Sequence, residues 1–179
     1  MATLLHYPVL VVFLVLAFLA TCLTYAAPVF TSDHLIISGN LNVGTFLGTF
    51  VHMSWGHLIG NTIFLIPIWM YLASGKINPV KVTTTFLVLV CLANMLVTGI
   101  YGLISHNCLC GLSGVIYMLY GIAGILGNWL MFFFAIIMFA GEIYLIGDDD
   151  RTSHVAHIIF FIIGILIGIG KCIWYAFHI

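Results

Sequence analysis

The sequence predicts an all-α membrane protein, a compact bundle of six transmembrane helices forming a single domain over residues 1–179. Three observations lead there: 64% of the residues are hydrophobic, only 5% are charged, and long uncharged stretches separate the few charges. An ordinary soluble domain carries about 25% charged residues and cannot hide this much apolar surface. A spanning helix takes about 20 apolar residues. A chain of 179 residues with short connections therefore crosses the bilayer about six times and has no room for a second domain.

Apolar runs, and the Gly, Pro, Asn and charge that punctuate them, place the spans near 8–27, 57–74, 82–104, 112–127, 129–146 and 154–175. In the first, the run from Val9 to Ala20 is followed by the small residues Ala26 and Ala27, as in a cleaved leader. The basic stretch that opens a secretory signal is missing, so the segment reads as a retained span. The longest connection, 28–56, contains Pro28, Asp33, Gly39, Asn40, Gly44 and Gly48 yet stays fairly apolar, as suits a loop dipping into the membrane interface.

Orientation follows from Lys and Arg in short loops. With the N-terminus cytoplasmic, Lys76, Lys81 and Lys171 lie inside, while Asp33 and the cluster Asp148 to Asp150 lie outside; only Arg151 departs. Both termini are then cytoplasmic, and loops 28–56, 105–111 and 147–153 share the outer or luminal side. The five cysteines, Cys22, Cys91, Cys108, Cys110 and Cys172, lack the spacing of a zinc site or disulfide framework. They read as apolar filler, with Cys108 and Cys110 together in one loop and open to oxidation. A net charge of −1 carries no nucleic-acid signal.

Polar groups in a bilayer are costly unless paired or functional. Three sets stand out, each opening a span that descends from the outer side. In His52-Met-Ser-Trp-Gly-His57-Leu-Ile-Gly-Asn61, His57 and Asn61 share a helical face. In Gly111-Leu112-Ser113-Gly114, Tyr117 follows Ser113 by one turn, and in the last span His154 and His157 precede Gly164, Gly168 and Gly170. Taken singly, the serine reads as bonded back to its own helix, the glycines as packing sites, and the histidines as interhelical ties, caps or metal ligands. Together they put a nucleophile, a base and extra donors at one depth.

The pattern of His52, His57 and Asn61, then Gly111-Leu112-Ser113-Gly114 with Tyr117, then Ala156-His157 in the last span, strongly resembles rhomboid intramembrane proteases over about residues 50–170. The resemblance implies a rhomboid-like six-helix bundle with its site open to the outer or luminal side. It implies Ser113 as nucleophile and His157 as general base, with His57, Asn61, Gly111 and Leu112 at the oxyanion and substrate site. Tyr117 would stack on His157, His52 would be structural, and Gly164 would support close helix packing. The chain departs from the family in the first loop, where Val43-Gly44 stand in place of Trp-Arg. It also lacks the usual Glu after the second span, and has Phe160 where the family prefers Gly.

The chemistry suits these residues. A serine hydroxyl needs a base, and histidine titrates near neutrality. No third, orienting carboxylate is evident, Asp148 to Asp150 being in the preceding loop, so the sequence predicts a dyad. The start of a helix offers free N–H groups to a tetrahedral oxyanion. No metal or organic cofactor is implied. The expected partners are the lipid bilayer and, as substrates, single-pass transmembrane proteins whose spans unwind through Gly, Ala, Ser or Pro near their outer ends. Two alternatives stay open: a non-catalytic rhomboid-like protein that binds transmembrane clients, and a metal transporter using His52, His57, His154 and His157. Phe160 is expected to pack against the Gly114 and Gly121 face of the fourth span, leaving Ser113 and His157 in contact.

Overall fold

The computed structural model describes residues 7–35, 44–74, 81–105, 109–146 and 154–178, and every element among them is helical. In chain order these are α1 (Tyr7–Ala26), α2 (Pro28–His34), α3 (Gly44–Leu47), a 3-10 turn (Gly48–Phe50), α4 (Trp55–Ala73), α5 (Thr84–Ser105), α6 (Ser113–Leu126), α7 (Trp129–Tyr144) and α8 (His154–Phe177). Local chemistry sets several of these boundaries. Pro28 opens α2, where its missing N–H costs nothing. The Ser54 hydroxyl caps α4 by accepting from the His57 amide at 3.1 Å, and the Asn128 side chain caps α7 by accepting from the Met131 amide at 3.1 Å.

An apolar helix stands at or near each of the six expected spans. Four of them, Pro8–Ala26, Trp55–Ala73, Thr84–Ile104 and His154–Phe177, are long and apolar enough to cross a membrane. Helices α6 and α7 are also apolar but shorter, at 14 and 16 residues. At 1.5 Å per residue they reach about 21 and 24 Å, less than a hydrocarbon core of about 30 Å. The segment 28–56 is not simply a loop, since α2, α3 and the 3-10 turn occupy much of it. Its last part enters the core, where Phe50, Val51 and His52 are all buried.

Helix α6 is the hub, packing against α4, α5, α7 and α8. Most of its length is buried, including Val115, Met118, Leu119, Ile122 and Ala123. Small residues bring α6 and α8 together. A Cβ added at Gly164 would run into the Met118 carbonyl of α6, and one at Gly121 into the Phe161 carbonyl of α8. The outward faces are apolar, with Val11, Val12 and Val15 on α1, Phe132 to Phe134 on α7, and Ile162 and Leu166 on α8 all exposed. Aromatic side chains mark helix ends, where amphipathic rings meet the interface. Tyr25 of α1 stacks on Trp55 of α4 at 5.6 Å and 8°, and Trp129, Tyr144 and Trp174 are strongly exposed.

Candidate active site

The site forms where α4, α6 and α8 begin and α7 ends. The turn and loop ahead of α4 build its floor. The Gly48 carbonyl accepts from the amides of both Val51 and Gly111 at 3.0 Å, tying the strand of chain before α6 to the 3-10 turn. Gly111 has φ of 98°, a conformation that favours glycine, and a Cβ there would lie 2.8 Å from the His57 ring. The chain can thus turn sharply into α6 directly beneath the His57 ring.

His52 is fully buried and locks this corner. Its Nδ1 donates to the Phe50 carbonyl at 3.0 Å, which leaves Nε2 as acceptor. Nε2 takes a hydrogen from the Asn61 side-chain nitrogen at 3.0 Å and lies 3.4 Å from the Leu112 amide. Burial first, and then the nearby His57 ring, depress the His52 pKa from 6.5 to about 4, so the ring stays neutral in this network. Asn61 retains its second amide hydrogen for a ligand.

Ser113 is the first residue of α6, and its Oγ lies 3.0 Å from Nε2 of His157, three residues into α8. The Tyr117 ring, one turn along from Ser113, stacks on His157 with centroids 4.4 Å apart and planes at 16°. Behind the histidine stands a carboxylate. Glu142, from the end of α7, is 6% exposed and places Oε1 3.2 Å from His157 Nδ1. The alignment is off the line of a hydrogen bond, so Nδ1 is a buried donor position still lacking one among the described residues. Glu142 Oε1 also accepts from the Tyr117 hydroxyl, and Oε2 pairs with His154 Nδ1 at 2.6 Å.

These groups surround one cavity of about 540 Å³, lined by Ser113, His157, His57, Asn61, Gly111, Tyr117 and Glu142 among polar and small residues, and by Met53, Phe64, Met138 and Phe160 among apolar ones. Phe160 is buried against Gly114, its ring 3.0 Å from where a Cβ would stand, and does not separate Ser113 from His157.

The structure thus brings together Ser113, His157, His57, Asn61, Gly111 and Tyr117, with His52 fastening them from below and Gly164 closing α8 on α6. Leu112 is placed differently from an oxyanion donor: it is fully buried, its amide faces His52, and it does not line the cavity. The expectation of no carboxylate behind the histidine is not met, because Glu142 comes from α7 rather than from the acidic loop. An ionisable residue inside an apolar run is itself a signal of function. Asn94 of α5 was not singled out by the sequence. It is fully buried, its Oδ1 takes the Thr49 hydroxyl at 3.3 Å, and its Nδ2 sits against Gly114. Cys110 lines the cavity, whereas Cys108, Val43 and the acidic cluster Asp148 to Asp150 lie outside the described residues. No protein-family model matches the chain, and no curated protein matches it.

Proposed function

We propose that this protein is an intramembrane serine endopeptidase of the rhomboid type, cleaving transmembrane segments of single-pass proteins. The observation that carries the reading is the 3.0 Å approach of Ser113 Oγ to His157 Nε2 inside a cavity that also holds the donors of Asn61 and His57. His157 Nε2 takes the Ser113 proton as Oγ bonds the scissile carbonyl carbon, whose π electrons move onto oxygen. The oxyanion meets the first free amides of α6, the second Asn61 hydrogen and the His57 ring. Collapse expels the amine, which leaves with the proton from His157. Water then attacks the acyl carbon and gives a proton to Nε2. The acyl carbon–Oγ bond breaks, the new C-terminal carboxyl product leaves, and Oγ takes the proton back from Nε2 to restore Ser113.

The bundle spans the membrane six times in this reading, the short α6 being sheltered by its neighbours so that Ser113 lies below the outer surface. Both termini are cytoplasmic and the site faces the outer or luminal side. Charge supports this, since exposed Lys81, just ahead of α5, and Lys171, in the last turns of α8, lie toward the opposite ends of those helices from the site. Phe64 of α4 and Met138 of α7 give the cavity an apolar wall suited to an apolar substrate segment. Cleavage of a model transmembrane substrate in liposomes tests the reading: Ser113→Ala and His157→Ala are each expected to abolish it, and near-wild-type turnover in either folded variant refutes it.

A metal-binding reading has one observation in its favour. Ligand atoms of Glu142, His154 and His157 lie within 4.8 Å of one another. The four histidines expected of a transporter do not form such a group among the described residues. Stoichiometric zinc uptake that Glu142→Gln eliminates, with no proteolysis by the wild type, would favour this second reading.

A further inference from the structure

Resting on the protease reading, we infer that Glu142 is a positioning residue, holding the His157 ring in the tautomer and orientation that a base for Ser113 requires. A carboxylate is costly in an apolar helix bundle unless it is paired or functional, and α7 is otherwise apolar. Glu142 is nevertheless nearly fully buried, and it points at the interface of α6 and α8.

Three donors converge on it. The Tyr117 hydroxyl and the Nδ1 edge of His157 approach Oε1, and His154 Nδ1 holds Oε2 at 2.6 Å. The carboxylate is therefore clamped by Tyr117 and His154, and presents its remaining capacity to His157, whose Nε2 faces the Ser113 hydroxyl. A neutral imidazole carries a single proton. With a carboxylate 3.2 Å from Nδ1, that proton belongs on Nδ1, and Nε2 keeps its lone pair facing Ser113 Oγ at 3.0 Å. Once Nε2 takes the serine proton, the imidazolium forms beside an anion in a site of low dielectric.

Tyr117 contributes twice, packing flat on the ring and tying the carboxylate that steers it. Among the described residues, the ionisable groups around His157 are Tyr117 from α6, Glu142 from α7, His154 from its own helix and His57 from α4. Glu142 is the one acid among them. The Nδ1 contact is within hydrogen-bond distance but misaligned, and catalytic hydrogen bonds of this kind tighten in a loaded site.

The test compares wild type, Glu142→Gln, Glu142→Asp and Ser113→Ala on a transmembrane substrate in liposomes. Gln keeps the size and still accepts from Tyr117, but offers no charge. Its kcat is expected to fall by about 10²-fold or more with KM little changed, as when the orienting acid of a serine protease is neutralised. Asp should recover part of that loss. Nitrogen NMR of His157 in the wild type, which needs no variant to fold, is expected to show the Nδ1–H tautomer. A Glu142→Gln enzyme within twofold of the wild-type kcat, or an Nε2–H tautomer at neutral pH, overturns the role of Glu142. Persistent turnover by Ser113→Ala would instead overturn the protease reading on which it rests.

Discussion

Mild acid should loosen this protein through His52. The ring is fully buried among neutral partners, the Phe50 carbonyl, Asn61 and the Leu112 amide, with His57 as its titratable neighbour. Protonation would destroy the acceptor at Nε2 on which both Asn61 and Leu112 depend. In the unfolded chain the ring takes a proton near pH 6.5, whereas in the folded protein it does so only near 4. Between those values the unfolded state binds one more proton, so stability is complete above pH 6.5 and falls as the pH drops toward 4. At 1.36 kcal/mol per pH unit the full loss is about 3 kcal/mol, with about 2 kcal/mol of it gone by pH 5. Unfolding in detergent, followed from pH 7.5 to 4.5 for wild type and for His52→Gln, isolates this contribution from other titrating groups. The wild type should lose more stability than the variant over that range. Equal losses would show that His52 is not held neutral in the fold and would undo the description of the corner it occupies.

The helix contact predicts that Gly164→Val fails, because its side chain meets the Met118 backbone, which cannot yield as a side chain tip would. A thermal melt should register at least about 1–3 kcal/mol of overpacking, together with loss of activity. Phe160→Gly should leave the Ser113 to His157 contact intact but cost about 3–5 kcal/mol by emptying a buried site, so activity per folded molecule should persist in a cleavage assay. Asn61→Ala removes one oxyanion donor and the donor to His52, and a drop in kcat of about 10²–10³-fold is expected short of complete loss. For topology, cysteine labelling in a background without native cysteines should reach position 149 from outside and position 78 only from inside. The reverse pattern would invert the membrane placement.

Much of this molecule is legible in its sequence because a bilayer simplifies the code. Uninterrupted apolar runs correspond to α1, α4, α5, α6, α7 and α8, and their edges fall at Gly, Asn or Ser caps such as Ser54 and Asn128. Ser113, Tyr117 and His157 were legible for a related reason: polar groups near the starts of alternate apolar helices share one side of the bundle and have few neighbours to meet. The pieces inside 28–56 were not legible, since α2 and α3 are too short to show a helical period and are held by contacts with α1 and α5. Glu142 was visible as an acid in an apolar span, but its partners on α6 and α8 are 25, 12 and 15 positions away along the chain, and only the packing of α7 brings them together. The Leu112 amide is engaged by His52, 60 positions earlier, and no local pattern shows that.

The central claim is that Ser113 is a nucleophile activated by His157. Labelling with a fluorophosphonate probe, which bonds covalently to activated serines, tests it most directly in the purified, membrane-reconstituted protein. The account predicts stoichiometric labelling of the wild type, with none for Ser113→Ala and little for His157→Ala. A wild-type protein that is folded and unlabelled, or a Ser113→Ala variant that labels equally well, would contradict it.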